Sequence, residues 1–167
     1  MMFSTIRALV GWAFQMNEAI PVKSARYGEF SAPAFGGMSP GELKDMAVDI
    51  LAKISRLPAA EQAAIAAYFT GDIRAINAAA DLLPAGWPTA LRRELARGWA
   101  AESLTREQKE IAATFMLSEA TVTRRKKEAF SLLQTVVARG MATLEIQLLA
   151  LIMHPSRCNM QRTCIAA

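Results

Sequence analysis

Apolar residues recur every three or four positions along much of this 167-residue chain, and this periodicity limits the possible folds more than any other feature. The spacing is clearest at Leu43, Met46, Ala47, Ile50, Leu51 and Ile54, and again at Leu133, Val137, Met141, Leu144, Leu148 and Leu151. An α-helix turns every 3.6 residues, so residues spaced in this way share one helix face. With only 9 Gly and 7 Pro to interrupt the pattern, the sequence predicts an all-α fold.

Clusters of Pro and Gly divide this helical pattern into segments. We expect a helix in 1–20, an irregular loop in 21–41, a helical region in 42–103, two helices joined by a tight turn in 104–153, and a flexible tail in 154–167. The second helix of 104–153 is expected to be long, because its apolar spacing continues past Phe130. The aromatic and basic residues of the 21–41 loop are interpreted as anchors onto the domain, or alternatively as contacts to a nucleic-acid strand.

Several helix ends carry capping signals. Ser39-Pro40-Gly41-Glu42 has the pattern of a capping box, and Gly71 is expected to end a helix over 58–69. Thr89 is predicted to cap a helix that runs to about Ala101. Thr105 is predicted to form a second capping box with Gln108, so that a helix begins there.

The segment that follows this second box predicts two helices joined by a short turn. The first helix would bury Ile111, Ala112 and Phe115, and Ser118 would cap the second helix. Ala112 is small where the two helices would cross. Leu117 and Val122 are apolar and would hold the turn and the second helix to the core.

The string EIAATFMLSEATVTRRKKEAF, residues 110–130, resembles the helix-turn-helix of DNA-binding regulators, and is most similar to the fourth region of bacterial sigma factors. The resemblance implies that the second helix enters the major groove of double-stranded DNA. Small residues at its start would approach the base edges, and the longer cations would reach phosphates. The implied contact residues are Ser118, Glu119, Ala120, Thr121, Thr123, Arg124, Arg125 and Lys127.

Two positions depart from the family pattern. Met116 stands in the turn where Gly is common, so either its backbone adopts a conformation that is costly for Met or the turn differs. Lys126 stands where an apolar residue is usual, and its aliphatic stem is expected along the edge of the core. The alternative interpretation of the basic run 124–127 is simply a solvated helix face.

The charge distribution favours an anionic partner. Residues 105–167 contain nine Lys or Arg and five Asp or Glu, which accounts for the whole net charge of +4. Other chemistry has little support: His154 is the single histidine, and Cys158 and Cys164 lack the spacing of a zinc site. We therefore expect no enzyme activity, no metal and no cofactor. No apolar run is long enough for a membrane span, so a cytoplasmic protein is expected.

A first helix that bears Leu9-Val10-Gly11-Trp12-Ala13 is followed by the irregular loop Pro21 to Gly41, the helices of 45–69 and the basic second helix. This order is similar in layout to that of the Q-type antiterminators of lambdoid phages. That resemblance implies a transcription regulator that binds DNA near a late promoter and joins bacterial RNA polymerase. The rival hypothesis is a helical scaffold or small packaging protein that binds DNA nonspecifically. The apolar extension behind the second helix also suggests a homodimer through the C-terminal helix, or docking onto a partner.

Overall fold

A computed structural model describes residues 3, 5–18 and 39–153. These residues form helices and connecting turns, with no β-strand among them, so the all-α prediction is confirmed. The helices are α1 (Ile6–Glu18), α2 (Pro40–Ile54), α3 (Ala59–Thr70), α4 (Ile73–Ala80), α5 (Thr89–Ala100), α6 (Gln108–Thr114) and α7 (Glu119–Met153). The long last helix, α7, is also confirmed.

The chain divides into two compact units, and α7 contributes to both of them. The first unit contains the chain up to Arg56 together with the part of α7 from Thr143 onward. In this unit α1 packs against α2, and their buried residues are Leu9, Val10, Ala13, Leu43, Ala47, Ile50 and Ile54. The spacing of the buried α2 residues is the helical spacing predicted from the sequence.

The start of α2 has the predicted capping box. The Ser39 Oγ accepts a hydrogen bond from the Glu42 backbone N–H at 3.3 Å, and Glu42 Oε2 accepts from the Ser39 backbone N–H at 2.8 Å. Two N–H groups that the helix leaves without a backbone acceptor are satisfied in this way, which fixes the residue at which α2 begins.

The second unit spans Leu57–Ala142 and contains α3 to α6 with the first part of α7. Gly71 ends α3 in the left-handed conformation, at φ 64°, as its sequence position predicts. Near the middle of α7, Gly140 lets that helix approach α3 closely, since a Cβ there would lie 2.9 Å from Ile65 Cδ1. Beside this approach the buried Glu61 accepts a hydrogen bond from Arg139 Nε at 2.7 Å.

Two predicted caps are wrong. Helix α5 already includes Thr89 as a helical residue, and no side chain caps its start. Helix α6 begins at Gln108, three residues after Thr105, and again no side chain caps it. The Thr105 hydroxyl donates instead to Glu94 Oε1 at 2.6 Å. A buried carboxylate needs hydrogen-bond donors, and the Thr105 hydroxyl supplies one of them to Glu94.

The remaining predictions for the chain ends fall on residues outside the described ranges. These are the 21–41 loop as far as residue 38, and the 154–167 tail with His154, Cys158 and Cys164. Within the described ranges, no helix combines the length and the apolar character needed to cross a membrane. The same residues contain no group of three or more His, Cys, Asp or Glu that could hold a metal ion.

Candidate nucleic-acid interface

The turn between α6 and α7 covers residues 115–118 and is closed by backbone hydrogen bonds. The Leu117 N–H donates to the Ala112 carbonyl at 2.9 Å, and the Phe115 N–H donates to the Ile111 carbonyl at 3.1 Å. Met116 has φ 52°, the left-handed conformation that favours Gly, and its side chain is 96% exposed. Of the two possibilities raised by the sequence, the structure has the costly backbone conformation.

Ser118 caps α7 as predicted. Its Oγ accepts from the Thr121 backbone N–H at 3.2 Å, and its carbonyl accepts from the Val122 N–H at 3.1 Å. The Thr121 hydroxyl lies 2.9 Å from the same Oγ, so the two hydroxyls are hydrogen bonded to each other. The first turn of α7 is therefore held in place by local hydrogen bonds.

Apolar packing decides which side of α7 faces outward near its start. Ile111 and Ala112 of α6 are buried, as are Val122 and Ala129 of α7. Phe115 and Leu117 are half-buried, so they close the edge of this contact rather than its centre. The buried positions of α7 leave the opposite side of the helix exposed.

The predicted contact residues divide into two groups by exposure. Those that are exposed are Ser118, Glu119, Ala120, Arg124 and Lys127, and those that are half-buried are Thr121, Thr123 and Arg125. Ala120, Arg124 and Lys127 follow one another at steps of four and three, so they lie along one exposed side of α7. The run from Ala120 to Lys127 extends about 10 Å along the helix axis.

Thr123 is engaged within the protein. Its hydroxyl lies 2.8 Å from Gln108 Oε1 and 2.9 Å from the Glu119 carbonyl, and these two acceptors share its single hydrogen. The hydrogen bond to Gln108 ties the start of α7 to the start of α6. In this arrangement the Thr123 hydroxyl supports the position of α7 instead of facing a base edge.

Arg125 and Lys126 are both drawn towards aromatic rings. Trp87 lies in the turn between α4 and α5, and the Arg125 Cζ lies 5.4 Å from the centroid of its ring. The Lys126 Nζ lies 5.3 Å from the centroid of the Phe130 ring. Both basic residues are half-buried, which matches the expectation that Lys126 follows the edge of the core. Within the basic run, Arg124 and Lys127 are thus the two cations that face solvent.

Glu94 organises the loop that leads into α6. This α5 carboxylate is 8% exposed and accepts from the Thr105 hydroxyl at 2.6 Å and from Arg106 Nε at 3.3 Å. Burial raises the pKa of Glu94, but hydrogen bonds from Thr105 and Arg106 and the positive charges of Arg106 and Arg97 outweigh it, so the pKa is lowered. The ionised carboxylate therefore anchors the loop to α5.

Sequence reasoning missed three residues of this region: Trp87, Glu94 and Gln108 in its bond to Thr123. An aromatic residue inside the Ala85-Gly86-Trp87-Pro88 turn was a signal for Trp87, because a large ring in a tight turn needs a packing partner. The charge pattern gave no comparable signal for Glu94.

No protein-family model, curated protein or solved structure matches the chain.

Proposed function

We propose that the chain is a sequence-specific DNA-binding transcription regulator that inserts the start of α7 into the major groove of double-stranded DNA. The observation that carries this proposal is the exposed side formed by Ala120, Arg124 and Lys127, which begins at the turn capped by Ser118. An α-helix with its side chains is about 10–12 Å in diameter, which fits a major groove about 12 Å wide.

The residue types on this side match the two tasks of a reading helix. Ala120 and Thr121 are short, so the backbone of α7 is able to approach base edges closely. The Thr121 hydroxyl is bonded to Ser118 Oγ, but it keeps at least one lone pair that can accept from a donor on a base. Arg124 and Lys127 lie one and two turns further along, where long cations reach phosphates. Thr121 is therefore the proposed base-contact residue, and Arg124 and Lys127 are the proposed phosphate contacts.

Replacement of the two cations tests the phosphate contacts. We expect Arg124→Ala with Lys127→Ala to weaken binding to all duplexes and to reduce the slope of log affinity against log salt by about 1.8, since each lost phosphate contact removes about 0.9. Arg93→Ala with Arg97→Ala is the matched control, because these are also two exposed cations one helical turn apart, on another helix. Equal effects of the two pairs would contradict the proposal.

Selection of genomic fragments with the purified protein separates a sequence reader from a nonspecific binder. A reader binds its selected site about 10³-fold or more tighter than random duplex, and Thr121→Val reduces that ratio more than it reduces affinity for random DNA. A packaging or scaffold protein would show a steep salt dependence with no such ratio. That second result would favour the rival hypothesis.

The layout shared with Q-type antiterminators extends the proposal to bacterial RNA polymerase as a partner. The position of the selected fragments tests this extension: a site beside a late promoter supports it, whereas enrichment at packaging signals opposes it.

Pairing of two copies through the last part of α7 is a separate proposal. The exposed Ile146 and Leu149 support it, and sedimentation of Ile146→Lys beside the unchanged protein tests it.

A further inference from the structure

Arg125 differs from the other cations at the start of α7 because its side chain is directed onto a neighbouring turn. Its guanidinium carbon lies 5.4 Å from the centroid of the Trp87 ring. Arg124, its neighbour in sequence, is exposed to solvent. Both Arg125 and Trp87 belong to the second compact unit. In the free protein, Arg125 is thus the cation of the basic run that the α4–α5 turn holds.

This arrangement leaves the Arg125 guanidinium incompletely satisfied. Its Nη1 is buried and has no hydrogen-bond acceptor among the described residues. Buried donors in proteins almost always have an acceptor, and the loss on leaving a charged donor unpaired is at least as large as the gain from a cation over an aromatic ring. A Met side chain would pack on the indole without that loss, so stability does not explain an arginine here.

We propose that Arg125 is a phosphate ligand that Trp87 holds in the free protein and that DNA draws away from the indole. A phosphate oxygen supplies the acceptor that Nη1 lacks, and it accepts a charge-assisted hydrogen bond, the stronger kind. Arg125 then adds a third phosphate contact to those of Arg124 and Lys127. This inference rests on the proposed function, because the phosphate is that of the duplex read by α7.

The first test compares Arg125→Met with Arg124→Met in two measurements. Without DNA, we expect Arg125→Met to unfold at a urea concentration equal to or higher than that of the unchanged protein, because an unpaired buried donor is removed. With DNA, both variants reduce the salt slope by about 0.9. A lower unfolding midpoint for Arg125→Met, or an unchanged salt slope, would overturn the inference.

The second test follows Trp87 itself during titration with the selected duplex. Departure of the guanidinium from the ring changes the tryptophan emission of the unchanged protein, and we expect that change to be absent in Arg125→Met, which keeps Trp87 and lacks the guanidinium. Trp87→Leu should keep the full salt slope, because Arg125 remains free to bind phosphate. If Trp87→Leu and Arg125→Met both weaken site binding with the slope unchanged, Arg125 only braces α7 and the inference fails.

Failure of this inference is distinguishable from failure of the proposed function. If the unchanged protein shows no salt-dependent binding to duplex DNA, both are overturned together. If it binds with a slope that Arg124→Met reduces and Arg125→Met does not, the reading function stands and the inference about Arg125 alone is overturned.

Discussion

The turn residue Met116 provides a test of the backbone geometry that brings α7 into position. Its φ of 52° places a non-glycine residue in the left-handed region, which costs about 1–2 kcal/mol. The side chain is 96% exposed, so its removal forfeits almost no buried area. Replacement by Gly removes this strain, but about 0.4–1 kcal/mol of the gain in stability is lost because glycine gives the unfolded chain more conformational freedom. We expect Met116→Gly to raise the free energy of unfolding by about 0.5–1 kcal/mol.

Urea denaturation followed by circular dichroism measures this gain as a midpoint raised by roughly 0.3 M. Met116→Ala is the matched control, because it shortens the side chain and keeps the backbone strain, so its midpoint should stay close to that of the unchanged protein. Gly71→Ala is the converse test. Gly71 has φ 64° with no atom within 4 Å of an added Cβ, so a loss of about 1 kcal/mol there comes from the backbone alone. Destabilisation by Met116→Gly would show that the left-handed conformation of Met116 carries no strain that glycine relieves.

Three further predictions concern the contacts that support the interface. Gly98→Ala should lower the free energy of unfolding by about 1–3 kcal/mol, since its Cβ would lie 3.2 Å from the backbone of Leu104. An unchanged midpoint in urea denaturation would show that the loop before α6 moves to accommodate the added Cβ. The lowered pKa of Glu94 means that its carboxylate contributes to stability above about pH 4.5, and that this contribution is lost as pH falls. The difference in unfolding free energy between the unchanged protein and Glu94→Gln should therefore narrow from about pH 7 to about pH 3. A difference that stays constant over this range would contradict the prediction. Arg139→Met should lower the free energy of unfolding by about 1 kcal/mol, because the buried Glu61 loses the arginine that lies 2.7 Å away. The value is modest because the Arg139 side chain is 63% exposed, and Glu61→Gln added to Arg139→Met should recover part of the loss in the same assay.

The parts of the fold that sequence predicted correctly are those fixed by neighbouring residues. Ser39, Gly71 and Ser118 each determine a helix end through backbone geometry or hydrogen bonds within about four residues. The buried faces of α2 and α7 follow from the spacing of apolar residues, because packing on one side needs only that spacing. These features require no knowledge of the rest of the chain.

The parts that sequence missed depend on partners further away along the chain. Thr105 matched the pattern of a cap, but its hydroxyl bonds to Glu94 on the preceding helix, and no local pattern indicates that carboxylate. Arg125 belonged to a uniform basic run, and only the tertiary position of Trp87 separates it from Arg124. A sequence gives the residue types of an interface, whereas the division of those residues between solvent and the protein's own interior depends on packing.

Methylation interference on the selected duplex tests most directly whether α7 enters the major groove. Dimethyl sulfate methylates guanine at N7, which faces the major groove, and adenine at N3, which faces the minor groove. If α7 enters the major groove, methylated guanines within the site block binding of the protein, while methylated adenines are tolerated. Interference at adenine N3 with none at guanine N7 would place the protein in the minor groove and contradict insertion of α7 into the major groove.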